Sequence, residues 1–471
     1  MRPHQCKFTA IFFVTLLLVS TAQANELALS EYLEQVSRLN PAIRAAEIGQ
    51  TSAKMQINDA NLLFLPQLEL SAQRKVSEQD TYVPMLYGSK TVGEDYKIAV
   101  QEMTNFGLKG DVYYDLKSVD ITGAAPNFVP VPKYYSTEPG VELTQSLWRN
   151  GWGAESRAQE VLIRSGAEAN FYAEKFHYLA AVVEAKNTFL ELYFLRKALI
   201  ALRASRDFAG KLRDWARARA QNELADKSDF LQTEAVFEQR DLELMKNEND
   251  LRSTALRFNS LRGIDSDVVS DELAPQPLNE PVAINKFTLS RLDTKATEKS
   301  LAATKAKSKM NEESAKPTLD IFASFAYTRN DITLQQAEDF GQHPVYAYGV
   351  KFTTPLAFTK ADRVANSFAK EIESTEFKLK KQKIDETRDL DILIRQIGNA
   401  RDRLRLAEKI EASQTTKLES ERERHRRGRT TLFQVLQFEQ DHVSAQLNRI
   451  NTELEYRTAV NQLELYESET K

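Results

Sequence analysis

The chain has 471 residues, 42% of them hydrophobic, enough to bury a large core, and this excludes a disordered polymer. Sixteen glycines and fourteen prolines are few for this length, which favours long helices. A net charge of -4 spread over interleaved acids and bases excludes a general nucleic-acid surface.

At the N-terminus, Arg2 and Lys7 precede an apolar stretch from Phe8 to Val19, and the small-residue site Ala22-Gln23-Ala24 follows. This pattern predicts an export signal over 1–24, cleaved after Ala24. The single cysteine, Cys6, lies ahead of the apolar stretch, so it would leave with the signal and cannot serve as a lipid anchor. No other segment approaches the roughly 18 apolar residues of a membrane helix. A mature chain that crosses a membrane must then do so as a β-barrel.

A first repeat is predicted over 25–264. Its opening helix closes at Leu65-Pro66, and alternating segments follow over about 66–148. Tyr96, Ile98 and Val100 share one face, Asn105-Phe106-Gly107 turns the chain, and Val112, Tyr114 and Leu116 alternate again. A long helical hairpin is predicted over about 152–263, with Leu244, Leu251 and Phe258 as a seam at a spacing of seven. The Asp- and Pro-rich stretch 265–282 reads as a linker.

A second repeat over 283–471 has the same order. Lys316-Pro317-Thr318-Leu319 echoes Leu65-Pro66-Gln67-Leu68 and opens strands over about 317–358. Leu319, Ile321, Ala323, Phe325 and Tyr327 fall on one face, as do Tyr346, Tyr348, Val350, Phe352, Leu356 and Phe358, while Phe322 interrupts the polar face. A helical hairpin over about 360–466 carries two seams, Leu393, Ile397, Ala400, Leu404 and Ala407, then Val443, Leu447, Ile450 and Leu454. Roughly 65 residues without proline give a rod of about 100 Å. The turn segments overlay without a gap, Glu223 on Gly428, so that Leu231, Gln232 and Glu234 coincide with Leu436, Gln437 and Glu439.

The five histidines, His4, His177, His343, His425 and His442, show no metal-ligand spacing. No nucleophile elbow or phosphate loop is present, and Gly151-Trp152-Gly153 lacks the third glycine of a dinucleotide motif. No enzyme activity and no cofactor are expected.

The stretch Leu143-Thr144-Gln145-Ser146-Leu147-Trp148-Arg149-Asn150-Gly151-Trp152-Gly153, together with the duplicated turns ending Asp229–Glu234 and Gln434–Glu439, resembles the TolC family of outer-membrane factors. The resemblance covers nearly the whole mature chain. It implies a mainly α fold with a β-barrel part, in which a homotrimer shares one outer-membrane barrel continued by a periplasmic helical tunnel. It also implies an exit duct for tripartite efflux or type I secretion, with a periplasmic adaptor and, through it, an inner-membrane pump as partners. The Asn105-Phe106-Gly107 hairpin has no counterpart in the second repeat, so strands beyond the family's usual four are an expectation for this chain.

On the family pattern, the gate at the periplasmic tips falls on Ser228, Asp229, Gln434 and Gln437, the last two standing where acids are usual. The docking tip falls on Glu223, Leu224, Gly428 and Thr430. The basic cluster His425–Arg429 suggests gate ion pairs in which Arg427 or Arg429 meets Asp229 or Glu223; its alternative is a solvated helix end. Trp148 and Trp152 suggest membrane-interface anchors. The competing reading is a periplasmic adaptor-like coiled-coil protein without its own pore.

Overall fold

The computed structural model describes residues 26–78, 82–222, 226–277, 289–337, 343–354, 356 and 358–468. The predicted export signal, Glu223 and Leu224 lie outside them. In chain order the elements are β1 (Glu26–Leu27), α1 (Leu29–Leu39), α2 (Pro41–Asn58), β2 (Gln67–Glu78), α3 (Pro84–Tyr87), β3 (Lys90–Met103), β4 (Leu108–Thr122), β5 (Lys133–Ser146), α4 (Ala154–Gln221) and α5 (Lys227–Leu261). They continue with β6 (Glu272–Leu273), β7 (Leu289–Arg291), α6 (Leu292–Ser314), β8 (Thr318–Asp331), α7 (Leu334–Ala337), β9 (His343–Thr353), α8 (Phe358–Arg426), α9 (Leu432–Gln462) and β10 (Tyr466–Ser468). No described helix is long and apolar enough to cross a membrane.

The chain forms two compact units. The first takes the described parts of 1–40, 182–282 and 397–461. It is built from α1, α5, α9 and segments of α4 and α8, with the short parallel pair β1–β6. Its largest buried side chains are Tyr32, Phe189, Phe194, Phe258 and Tyr456. Tyr32 stacks on Phe258 with ring centroids 4.1 Å apart, and its hydroxyl donates to the Phe258 carbonyl at 3.2 Å. One cluster joins Leu190 and Phe194 of α4 to Ile450 of α9.

The α8 seam read from the sequence is buried throughout, at Leu393, Ile397, Ala400, Leu404 and Ala407. In α5 the outcome differs. Of the predicted seam, Phe258 is fully buried but Leu244 and Leu251 are only half-buried, and a second buried column runs through Thr233, Arg240, Asn247 and Thr254. That column keeps the spacing of seven but uses polar residues. Arg240 is compensated by Glu243 at 2.6 Å, which makes its burial tolerable.

The second unit takes the described parts of 41–181, 283–396 and 462–471 and contains the main sheet. Six strands lie in the order β2-β3-β4-β5-β8-β9, and every neighbouring pair is antiparallel. The Asn105-Phe106-Gly107 turn joins β3 to β4, and both strands are interior to the sheet. β2 and β9 are its edges, and they run in opposite directions. Near the helices, β7 pairs with β10, and Arg291 ties this ribbon down. Its guanidinium binds Asp293 at 2.9 Å and reaches Asp389 at 3.5 Å, while its backbone N–H donates to Glu386 at 2.6 Å.

Candidate functional site

The sheet has two faces of different character, because a strand turns alternate side chains to opposite sides. Register places Leu70 beside Ile98, Ile98 beside Tyr114, Val112 beside Val141 and Val141 beside Phe325. Phe325 in turn sits beside Tyr346. These residues form one continuous apolar face across all six strands, and Leu70, Ile98, Val112, Val141, Phe325 and Tyr346 are each exposed. Water is a poor medium for a patch of that extent.

The opposite face is polar, with Ser71 beside Lys97, Lys97 beside Asp115 and Asp115 beside Glu138. Lys117 binds Asp115 at 2.7 Å, Gln101 donates to Glu69 at 2.6 Å, and the Tyr113 hydroxyl donates to Glu138 at 3.1 Å. Phe322, which interrupts the polar alternation, lies directly over Gly349, where a Cβ would sit 2.8 Å from its ring. Tyr113 covers Gly140 in the same way. The glycines make room for large rings on the polar face.

Strand passes to helix through a strained junction. Asn150 and Trp152 hold left-handed backbone, with φ of 55° and 52°. Asn150 accepts from the Ser156 N–H at 3.0 Å and so caps the start of α4, while Arg149 grips Glu155 at 3.0 Å. Arg157 donates to the Trp152 carbonyl at 2.6 Å and to the Asn105 carbonyl at 3.2 Å, so the junction also holds the β3–β4 turn. Trp148 packs against Phe352 at 6.4 Å on the apolar face, and both Trp148 and Trp152 are exposed.

The hairpin tips belong to the first unit. Ser228 and Asp229 occupy the first turn of α5, Asp229 donating its backbone N–H to Asp226 at 3.1 Å. Gly428 closes α8 with φ of 69°, a glycine conformation. Thr430 bonds Gln434, and Gln437 donates to Asp441 at 3.0 Å. Arg427 pairs with Glu423 of its own helix at 2.9 Å. Among the described residues no ion pair joins Arg427 or Arg429 to Asp229, and Glu223 and Leu224 lie outside the description.

Just inside each turn, an ion pair bridges the two helices of the hairpin. Arg217 of α4 faces Glu234 of α5 at 3.6 Å, and Arg422 of α8 binds Glu439 of α9 at 2.6 Å. When Glu223 is overlaid on Gly428, the two pairs coincide residue for residue. The sequence reading identified Glu234 and Glu439 as repeat-related but missed their arginines. An Arg and a Glu at the same separation in both repeats was the available signal. Trp215 and His425 also meet edge to face at 6.2 Å.

Neither the models of known protein families nor the curated proteins gave a match to this sequence. Solved structures do match. The CmeC outer membrane channel of Campylobacter jejuni superposes with a TM-score of 0.66 at 15% identity, over 94% of this chain and 87% of that one. The outer membrane protein VceC of Vibrio cholerae gives 0.64 at 14% identity, over 93% and 94%. The MtrE outer membrane channel of Neisseria gonorrhoeae, in its open state, gives 0.63 at 12% identity, over 93% and 88%. The chain has the fold of these outer-membrane channels, the one implied by its resemblance to the TolC family.

Proposed function

We propose, from the fold shared with these outer-membrane channels, that the chain is a TolC-type channel subunit: a passive exit duct of an efflux or secretion complex, with no catalysis of its own. The observation that carries this reading is the six-stranded sheet with one apolar and one polar face. Its shortest strand, β9, has 11 residues, and about 9–11 tilted residues span a bilayer. Trp148 and Trp152 then serve as anchors at one membrane boundary.

Six strands are fewer than the eight of the smallest membrane barrels. Open strand edges are intolerable in lipid, so protomers must pool their strands, and a homotrimer is the assembly we propose. Exposed apolar side chains on the hairpin helices, among them Ile200, Leu242 and Met245 on α4 and α5, fit helix packing between copies. The tips form the gate and the adaptor-docking surface: Ser228, Asp229, Gln434 and Gln437 narrow the entrance, and Glu223, Leu224, Gly428 and Thr430 meet the adaptor. The pump behind the adaptor supplies the energy. The pairs Arg217–Glu234 and Arg422–Glu439 hold each tip together at rest.

The test is expression with the leader intact, followed by membrane fractionation, native mass measurement in detergent and planar-bilayer recording. Outer-membrane recovery, a trimer mass and discrete conductance steps are expected. A water-soluble monomer without conductance overturns the reading and favours the adaptor-like alternative.

A further inference from the structure

We infer that the β3–β4 hairpin is part of the transmembrane wall, so that three copies, six strands from each, close one barrel of eighteen strands in which β9 of each copy adds antiparallel to β2 of the next. The inference rests on the channel reading above and goes beyond it in fixing the wall and bore of the pore.

Pairing is the first argument. β3 is laddered to β2 from Lys90 to Gln101 and to β4 from Lys90 to Met103, while β4 is laddered to β5 from Leu108 to Asp120. The hairpin is therefore hydrogen-bonded along its length on both sides and separates β2 from β5. It cannot fold into the bore or out into water without breaking both ladders.

Its side chains agree. Tyr96, Ile98, Val100, Val112, Tyr114 and Leu116 continue the apolar face of the outer strands without a gap, whereas Asp95, Lys97, Asp115 and Lys117 continue the polar one. A hairpin lying in an aqueous lumen would have no use for an apolar stripe in phase with its neighbours. The turn is also built in. Arg157 holds the Asn105 carbonyl, and Ser156 Oγ donates to the Met103 sulfur at 3.3 Å, so the start of α4 fixes the hairpin at the sheet's end.

The edges supply the partner. β2 is exposed along nearly its whole length on both faces, as is β9. Their opposite directions let one copy's β9 continue the antiparallel order onto another copy's β2. Contacts of that head-to-tail kind close into rings. Diameter grows about linearly with strand number, so the hairpin widens the bore about one and a half times over a four-strand contribution.

The single cysteine, Cys6, falls within the predicted export signal, so single spin labels report cleanly once that signal is removed. Labels at Ile98→Cys and Val112→Cys, read by EPR in the reconstituted assembly, should be open to oxygen and shielded from a water-soluble nickel chelate. Labels at Lys97→Cys and Asp115→Cys should show the reverse. Water exposure at Ile98 and Val112, with Leu143→Cys and Tyr348→Cys still lipid-facing, overturns the eighteen-stranded wall and spares the channel. Water exposure at all four sinks both. Native mass must give three subunits; two or four overturn the strand count. As an independent measure, deletion of 90–122 should shrink the barrel seen by cryo-electron microscopy of the assembly in detergent to about two-thirds of its diameter. An unchanged diameter in an assembled deletion variant refutes the inference.

Discussion

Gly107 and Gly153 meet backbone to backbone. A Cβ built at Gly107 would lie 2.8 Å from the Gly153 nitrogen, and one at Gly153 would press on the Asn105 carbonyl. Both hold left-handed backbone, with φ of +83° and +78°. The β3–β4 turn thus docks on the strand-to-helix junction at a spot that admits no side chain.

Gly153→Ala should accordingly destabilise the protein by about 1–3 kcal/mol, combining backbone strain with displacement of the turn. Gly166→Ala is the contrast. Gly166 sits in α4 with nothing near its missing Cβ, and alanine there should stabilise by about 0.5–1 kcal/mol. Thermal denaturation of the two variants checks the pair. Equal melting temperatures would show that the turn does not bear on the junction.

The tip clasps should differ in strength. The Arg217 and Glu234 side chains are 49% and 35% exposed, so their pair contributes about 0–1 kcal/mol. Glu439 is only 10% exposed, and removing Arg422 strands its carboxylate. Arg422→Ala should raise planar-bilayer conductance more than Arg217→Ala, and high salt should mimic the Arg217 variant best. Conductance unchanged in both variants, with trimers intact, would remove the clasps from the gate.

Tyr32 gives the first unit a sensitivity to alkali. Burial pushes its phenol far above the ordinary tyrosine range, with nearby Arg262 pulling weakly the other way. A proton held more tightly in the folded state stabilises fully below the unfolded pKa of about 10, and that contribution disappears as pH rises beyond it. Tyr32→Phe should flatten the loss of stability above about pH 10, while costing about 0.5–1.5 kcal/mol at neutral pH through the unpaired Phe258 carbonyl. Tyr32→Ala should cost about 3–5 kcal/mol. Denaturant titrations from pH 7 to 11 separate the three proteins.

Arg291 and Asp293 give the second unit an opposite dependence. Burial favours the protonated Asp293 carboxyl, but the Arg291 guanidinium outweighs it and holds the carboxyl below its usual range. The folded state therefore binds that proton more weakly, so the stabilisation is present above about pH 4 and is lost as pH falls. Arg291→Met should lower stability at pH 7 by about 1.5–3 kcal/mol and make the acid limb shallower. A parallel acid limb in the variant would show that the pair is not its source.

Much of this architecture was legible because strands with one apolar face and coiled-coil seams write themselves in periodic apolar residues. Tyr96 to Val100, Val112 to Leu116 and Leu393 to Ala407 announce their faces by size and spacing alone. The α5 column Thr233, Arg240, Asn247 and Thr254 was hidden, because its buried positions carry polar residues, and a search for apolar period passes over them. The clasps were hidden for a related reason. An arginine on an acid-rich helix looks solvated until the fold sets its partner opposite, as it does for Arg422 and Glu439. Phe322 read as a fault in the strand pattern because its room comes from Gly349 on the next strand, a relation only register reveals.

The opposed directions of β2 and β9 have a last consequence. In the proposed assembly each chain would present the same two edges to its neighbours whether or not a hairpin lies between them, since a hairpin adds two strands and restores the direction of travel. Calibre and subunit recognition would then be separate variables: the bore could change in hairpin-sized steps while the seam between copies kept the same edges and the same antiparallel sense. A single added strand would reverse one edge and force that seam to become parallel.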